Sequence, residues 1–228
     1  MQKDRKIWFT SDTHYNHRNI IKSLTTWPRT SGCRDFVSLQ EMNDTIVNNI
    51  NSVVGEDDVL YHLGDWSFGS AKTVGDFRDR INCKEIHLIL GNHDREFTKG
   101  LEVHSHFTSV SQYRELWIDE IETKIILSHY PMKSWNGSMY GNWMLYGHTH
   151  GNLQNSIQPA TLKMLLDEGR HDDIKLLSEN KKVDGIFPNG TSLEIGIDCH
   201  SEFRPFSFEE VKEYMDDVKR YIDCKIII

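Results

Sequence analysis

At 228 residues, with 38% hydrophobic and 26% charged side chains, the chain has apolar material for one substantial core but not the length for two ordinary domains; this excludes disorder and predicts one domain over residues 1–228. A net charge of −8 argues against a broad grip on DNA or RNA, which needs clustered Lys and Arg, although bound divalent cations would still let an acidic chain attract a phosphate locally. Cys33, Cys83, Cys199 and Cys224 form no C-x-x-C pair, the N-terminus carries no apolar signal core, and no apolar run is long enough to span a bilayer, so reduced thiols, cytoplasmic residence and no membrane partner are expected.

The first predicted strand, Ile7-Trp8-Phe9-Thr10, ends at Asp12. A helix is predicted from Ser38 to about Val54, where Ser38 is a good N-cap, Glu41 completes a capping box, and Met42, Ile46, Val47 and Ile50 share one face. Val59 to Leu63 predicts a strand ending at Gly64-Asp65, and Ile86 to Leu90 one ending at Gly91-Asn92-His93-Asp94. Lys124 to Ser128 then runs into His129, and Trp143 to Tyr146 into Gly147-His148-Thr149-His150. Residues from about 151 to 190 are polar and read as a helical insertion, with a helix between Pro159 and Gly169, which either shapes the site or lies away from it. A second capping box, Ser207 with Glu210, opens a last helix carrying Phe208, Val211, Met215, Val218 and Ile222 at helical spacing, and the terminal Ile226-Ile227-Ile228 reads as an intramolecular strand.

Helices between strands predict an α/β fold, in which ligands bind beyond the carboxyl ends of the strands. One polar residue after a strand is ordinary turn chemistry, but five strand ends that each deliver carboxylate, imidazole or amide groups imply a shared site. Asp12 and His14 are two apart, as are His148 and His150, so extended backbone would send each pair to one side. The donors are nitrogen and oxygen without cysteine, which suits manganese, iron, zinc or nickel. They also outnumber the four ligands of a closed zinc site, so a catalytic and dinuclear centre is expected.

Asp12-Thr13-His14, Gly64-Asp65, Gly91-Asn92-His93-Asp94, His129 and Gly147-His148-Thr149-His150 together resemble, in order, the motifs of calcineurin-like metallophosphoesterases. The stretch from His129-Tyr130-Pro131 through Trp135-Asn136-Gly137, with Asp198-Cys199-His200 later, further resembles a bacterial and phage subgroup of small phosphoesterases. The resemblance implies a four-layer α/β/β/α sandwich of two mixed sheets flanked by helices. It also implies two divalent metal ions, manganese foremost: one held by Asp12, His14 and His150, the other by Asn92, His129 and His148, with Asp65 bridging. A hydroxide formed between the ions would attack the phosphate, and His93, oriented or made more basic by Asp94, would protonate the leaving oxygen.

Arg18, Trp66, Arg95 and Tyr130 flank these motifs and are candidate substrate contacts. His62 and His87 lie within strands and read as satisfied core histidines, His104, His106 and His171 as solvated, and His17 and His200 as near site loops. The leading expectation is hydrolysis of a small, nucleotide-like phosphate ester, a diester ahead of a monoester; a nuclease and a non-catalytic metal-binding scaffold remain the alternatives.

Overall fold

The computed structural model describes residues 5–28, 30, 32–100, 102–152, 169, 186, 187 and 190–226, with backbone alone at 186, 187, 190, 191 and 218–226. The expected helix between Pro159 and Gly169, and His171, fall outside the described residues, as do the side chains of Val218 and Ile222. Strands β1 (Ile7–Thr10), β2 (Val59–His62), β3 (Glu85–Ile89) and β4 (Ser109–Ser111) are parallel, and β10 (Phe206–Ser207) adds antiparallel to β1, giving the order β10-β1-β2-β3-β4. A second sheet has the order β5-β6-β7-β9-β8, from β5 (Tyr113–Ile118), β6 (Thr123–Ser128), β7 (Trp143–Tyr146), β8 (Ile186–Phe187) and β9 (Gly190–Glu194). Here β6, β7 and β9 are parallel, with an antiparallel strand at each edge.

Alternation along the strands decides which sheet face meets which layer. Trp8, Leu60, Ile86 and Leu88 pack with Met42, Ile46 and Ile50 of helix α1 (Leu39–Val53) and with Val74 and Phe77 of α2 (Ala71–Arg78). Their neighbours Phe9, Tyr61 and Ile89 point the other way, where they meet Ile125, Leu127, Leu145 and Leu193 of the second sheet. Ile126, Met144 and Tyr146 alternate to that sheet's outer face and pack with Trp135. The result is two mixed sheets with flanking helices, as expected, in which the central strands β1, β2, β3, β6 and β7 bury side chains on both faces.

The α1 capping box forms: Ser38 Oγ accepts from Glu41 N at 3.1 Å, while the Glu41 carboxylate accepts from Val37 N at 2.7 Å, one residue further back than a standard box. Helix α4 (Phe208–Ile226), after the short helix α3 (Glu96–Lys99), also opens on its box, with Glu210 N donating to Ser207 Oγ at 3.2 Å. Phe208, Val211 and Met215 carry α4 into the core between the sheets. The strand expected at the C-terminus does not form at Ile226, which lies in α4, because no Gly or Pro after Lys212 interrupts the helix; Ile227 and Ile228 lie outside the described residues. Among the described residues no helix is long and apolar enough to cross a membrane.

Candidate metal centre

The loops leaving β1 and β2 stay paired beyond the strands: Asp12 N donates to Gly64 O and His14 N to Asp65 O, both at 2.9 Å. Gly147 N to His129 O, at 3.0 Å, does the same for β6 and β7. The two sheets are joined at these tips by His148 N donating to Asp12 Oδ2 at 2.8 Å and Ile197 N to Ser11 O at 3.0 Å. All the motif residues from Asp12 to His150 thus arrive on one rim.

Their backbone is not extended. Asp12 (φ 56), His14 (φ 48), Asp65 (φ 56), His148 (φ 77) and His150 (φ 49) all adopt left-handed conformations. The two-residue spacing therefore works by sharp turns at each residue rather than by strand alternation, at a cost of about 1–3 kcal/mol per residue, which Asp and His tolerate better than most. Gly64 has φ 94, and a Cβ there would meet Gly91 N at 2.5 Å and His129 Nδ1 at 2.7 Å, so only glycine lets these loops touch.

Asp12, His14 and His150 bring one ligand atom each into a first group, and Asp65, His129 and His148 into a second, with the atoms of each group within 4.8 Å of one another. Asp65 Oδ2 is 3.4 Å from His14 Nε2 and 3.6 Å from His129 Nε2, so a single oxygen reaches both groups. Asn92 Oδ1 lies 3.1 Å from His129 Nε2, within the second group. Asp12 uses Oδ2 to accept from Ser11 Oγ at 2.5 Å and from His148 N, while its Oδ1 is buried without a hydrogen bond, 3.9 Å from His14 Nε2 and 3.8 Å from His150 Nε2. A buried orphan carboxylate oxygen is costly. Facing two imidazole nitrogens that are themselves 3.2 Å apart, it fits a cation.

Surrounding bonds fix the rings. His129 Nδ1 donates to Leu63 O and His150 Nδ1 to Asp198 Oδ2, both at 2.7 Å, leaving each Nε2 lone pair free for a metal. Buried Arg34 holds Asp198 through two bonds of 2.8 Å, and its guanidinium also donates to Thr13 O at 2.8 Å and Asp12 O at 2.6 Å. Burial would raise the Asp198 carboxyl, but the Arg34 charge outweighs it and holds the group well below the usual carboxylate range. Burial works against protonation of His150, yet its bond to Asp198 leaves its pKa raised. His14 is pushed well below its ordinary value by burial and by Arg34. Asp65 is pushed up to about 7 by burial, with Asp12 adding to the effect against a bond from His93 N.

Two expectations are corrected. Trp66 does not face substrate: it is fully buried, its ring packs on Phe77 and Phe107, and its Nε1 donates to Val74 O at 3.3 Å. An indole that size fills the core beneath the site. Asp94 is bonded not to the His93 ring but to backbone, accepting from Asp65 N and Gly91 N at 2.8 Å and from Trp66 N at 3.0 Å. A buried carboxylate satisfies all these donors at once, so it clamps the Asp65 and Asn92 loops together rather than tuning the imidazole.

His93 sits half-buried beside the first group, its ring centroid 5.2 Å from that of His14, and burial followed by Arg95 lowers its pKa. Tyr130 is 48% exposed and its ring lies 4.8 Å from His148 and 4.9 Å from His129, so it walls the second group. Arg95 is exposed next to His93, and Arg18 is exposed in a 3-10 turn after His17. His87 is a satisfied core histidine, as expected, bonding Ser109 and Glu85, whereas His62 is a core histidine satisfied only in part: its Nε2 pairs with Thr13 Oγ1 and its Nδ1 is buried without a hydrogen bond. His104 and His106 are half-buried rather than solvated; His104 bonds Phe97 O, and His106 packs beside Gly75. His200 bonds Glu210 at the start of α4, whereas His17 is buried with its Nδ1 3.3 Å from His14 Nδ1.

Sequence reasoning missed Arg34 and the support role of Asp198. Glu194 was missed too: it is buried and accepts from Thr149 N at 3.0 Å and Thr149 Oγ1 at 2.6 Å, bracing the turn between His148 and His150. Asp198 and Glu194 belong to a sixth apolar run, Leu193 to Ile197, that ends in polar residues as the other five do. Arg34 lies in an irregular loop with no periodic signal.

Two sheets that deliver oxygen and nitrogen donors to one rim, in two groups joined by a shared carboxylate, define a metal-dependent phosphoesterase architecture. The calcineurin-like phosphoesterase family model matches residues 5–222, and the chain belongs to that family. An uncharacterized protein of Methanocaldococcus jannaschii is 35% identical over 65% of this chain and 71% of its own length. The gene 66 protein of Mycobacterium phage L5 is 29% identical over 63% of this chain and 76% of its own. The crystal structure of a protein of unknown function from Aquifex aeolicus shares the fold, with a TM-score of 0.59 at 19% identity over 92% of this chain and 99% of that one.

Proposed function

We propose that the chain hydrolyses a small phosphate ester, a diester in preference to a monoester, at a dinuclear centre. The observation that carries this reading is Asp65 Oδ2 within reach of both imidazole groups. Asp12, His14 and His150 would hold one ion, Asn92, His129 and His148 the other, and Asp65 both; oxygen and imidazole donors favour manganese, with iron, zinc or nickel the alternatives. Bound there, the ions would supply positive charge against the phosphate and lower the pKa of water beside it.

The chain's own residues do the rest. Asp94 and Gly64 hold the loops at contact distance, and the Arg34–Asp198–His150 chain keeps one imidazole aimed inward. His93 stands at the edge of the first group, where a substrate phosphate would offset the influence of burial and Arg95 and let the ring pass a proton to the leaving oxygen. With His93→Ala, metal content is expected to hold while turnover falls about 10²-fold or more on esters with poor leaving groups and far less on p-nitrophenyl esters. Equal losses across leaving groups would sink that role.

Loading should also depend on pH. Below about 7 Asp65 binds a proton in the metal-free protein and must release it to ligate, and His150, whose pKa is raised, must lose its proton too, so metal affinity is present above that pH and falls at least roughly tenfold per unit below it. Calorimetry of manganese binding in two buffers of different ionisation enthalpy checks this: proton release is expected near pH 6 and not near pH 8.5.

A small substrate is favoured over extended nucleic acid by the net charge of −8. The test is a panel of bis-p-nitrophenyl phosphate, p-nitrophenyl phosphate, cyclic nucleotides and single-stranded DNA with manganese present. Diester turnover well above monoester turnover supports the proposal, whereas salt-sensitive DNA cleavage alone would replace it with a nuclease.

A further inference from the structure

Beside the metal centre lies an aromatic surface that no step above uses. Phe68 is 42% exposed and Trp27 46%, and they lie side by side rather than scattered. Both converge on His17: the Phe68 ring stacks on it at 4.1 Å with an interplanar angle of 7°, and Trp27 meets it edge-on at 5.8 Å. Phe68 is held rather than loose, because its N–H donates to Tyr15 O at 2.8 Å, its carbonyl accepts from Asn16 Nδ2 at 3.1 Å, and Tyr15 bridges Ser67. With one face on buried His17, the remaining exposure of Phe68 is a preorganised ring surface. It lies 5.7 Å from the His93 ring, which is 5.2 Å from His14. Two ring contacts therefore separate Phe68 from the first ligand group, on the side where the leaving group would sit.

We infer that Phe68 and Trp27 form a stacking surface for a flat ring carried on the leaving-group side of the substrate, which makes the substrate class nucleoside phosphate esters rather than sugar or alkyl phosphates. The inference rests on the phosphoesterase reading for where the phosphate lies. A rigid aromatic pair offers a π-face to any base without hydrogen-bond selection, so recognition by ring and not by base identity is expected.

The test is calorimetric binding to the manganese-loaded full chain, with adenosine 5′-monophosphate and ribose 5-phosphate as probes. The nucleotide is expected to bind roughly 5- to 150-fold more tightly than the sugar phosphate, the range that one base stacked on an aromatic ring gives. Phe68→Leu, which keeps an apolar contact to His17 but removes the ring, should collapse that ratio towards one, and Trp27→Leu should lower it in part. Equal affinities in the unaltered protein, or a ratio that survives Phe68→Leu, would overturn the inference. Equal affinities with normal diester turnover would leave the phosphoesterase reading intact. A Phe68-dependent nucleotide preference without turnover of any ester would keep the surface and sink that reading instead.

Discussion

Asp65→Asn is expected to lower turnover on the order of 10³-fold and to cut metal content from two ions per chain to one or fewer. Asp65 already spends Oδ1 on His93 N at 2.8 Å, leaving Oδ2 as the atom that faces both imidazole groups. Asparagine retains one acceptor oxygen, so it can satisfy His93 N or ligate, but it cannot hold two cations, and it withdraws the negative charge that would separate them. The variant should fold, because the amide is less costly to bury than a carboxylate pushed up to about 7. Metal analysis after gel filtration, paired with turnover of bis-p-nitrophenyl phosphate, checks both parts. Two ions retained with undiminished turnover would remove Asp65 from the bridge.

Arg34→Met is the largest stability effect expected, about 3–5 kcal/mol, because it strands the Asp198 carboxylate and leaves Asp12 O and Thr13 O without the guanidinium. The sign with pH follows from the direction of the Asp198 shift. In the unaltered protein the depressed carboxyl contributes stability that is present above its unfolded pKa and lost only as pH falls through the lower folded value. Without Arg34, burial dominates and Asp198 takes up a proton more readily, so the deficit of the variant is greatest at neutral pH and shrinks as pH falls into the carboxylate range. Thermal denaturation of both proteins across that range measures it, and Arg34→Met/Asp198→Asn should recover part of the loss. A deficit independent of pH would mean that Arg34 acts through packing alone.

The fold was legible where the chain follows a simple period. Trp8 and Phe9, Leu60 and Tyr61, and Met144 and Leu145 point to opposite faces because the strands are buried on both sides, and the polar residue ending each run marks the rim. Both capping boxes were readable, since Ser38 with Glu41 and Ser207 with Glu210 are local bonds. Short edge strands were not: β4 and β10 are held by pairing partners distant in sequence, and β4, β8 and β10, at two or three residues each, carry no period. At the site, residue types revealed the candidate ligands but not the conformation that aims them, because left-handed backbone at Asp12 or His148 leaves no pattern in sequence. Asp94 illustrates a further limit. Its place beside His93 suggested a partner for that ring, whereas three backbone N–H groups converge on it only after β2 and β3 are paired. Trp66 likewise looked like a substrate contact from its place next to Asp65, and its burial under the loops depends on Phe77 and Phe107.

The most direct measurement is metal titration of the chelator-stripped protein with manganese while turnover of bis-p-nitrophenyl phosphate is followed. Turnover that is absent without metal and reaches its plateau at two ions per chain is the expected result. Full activity at one ion, activity in excess chelator, or no turnover with both ions bound would contradict a dinuclear phosphoesterase.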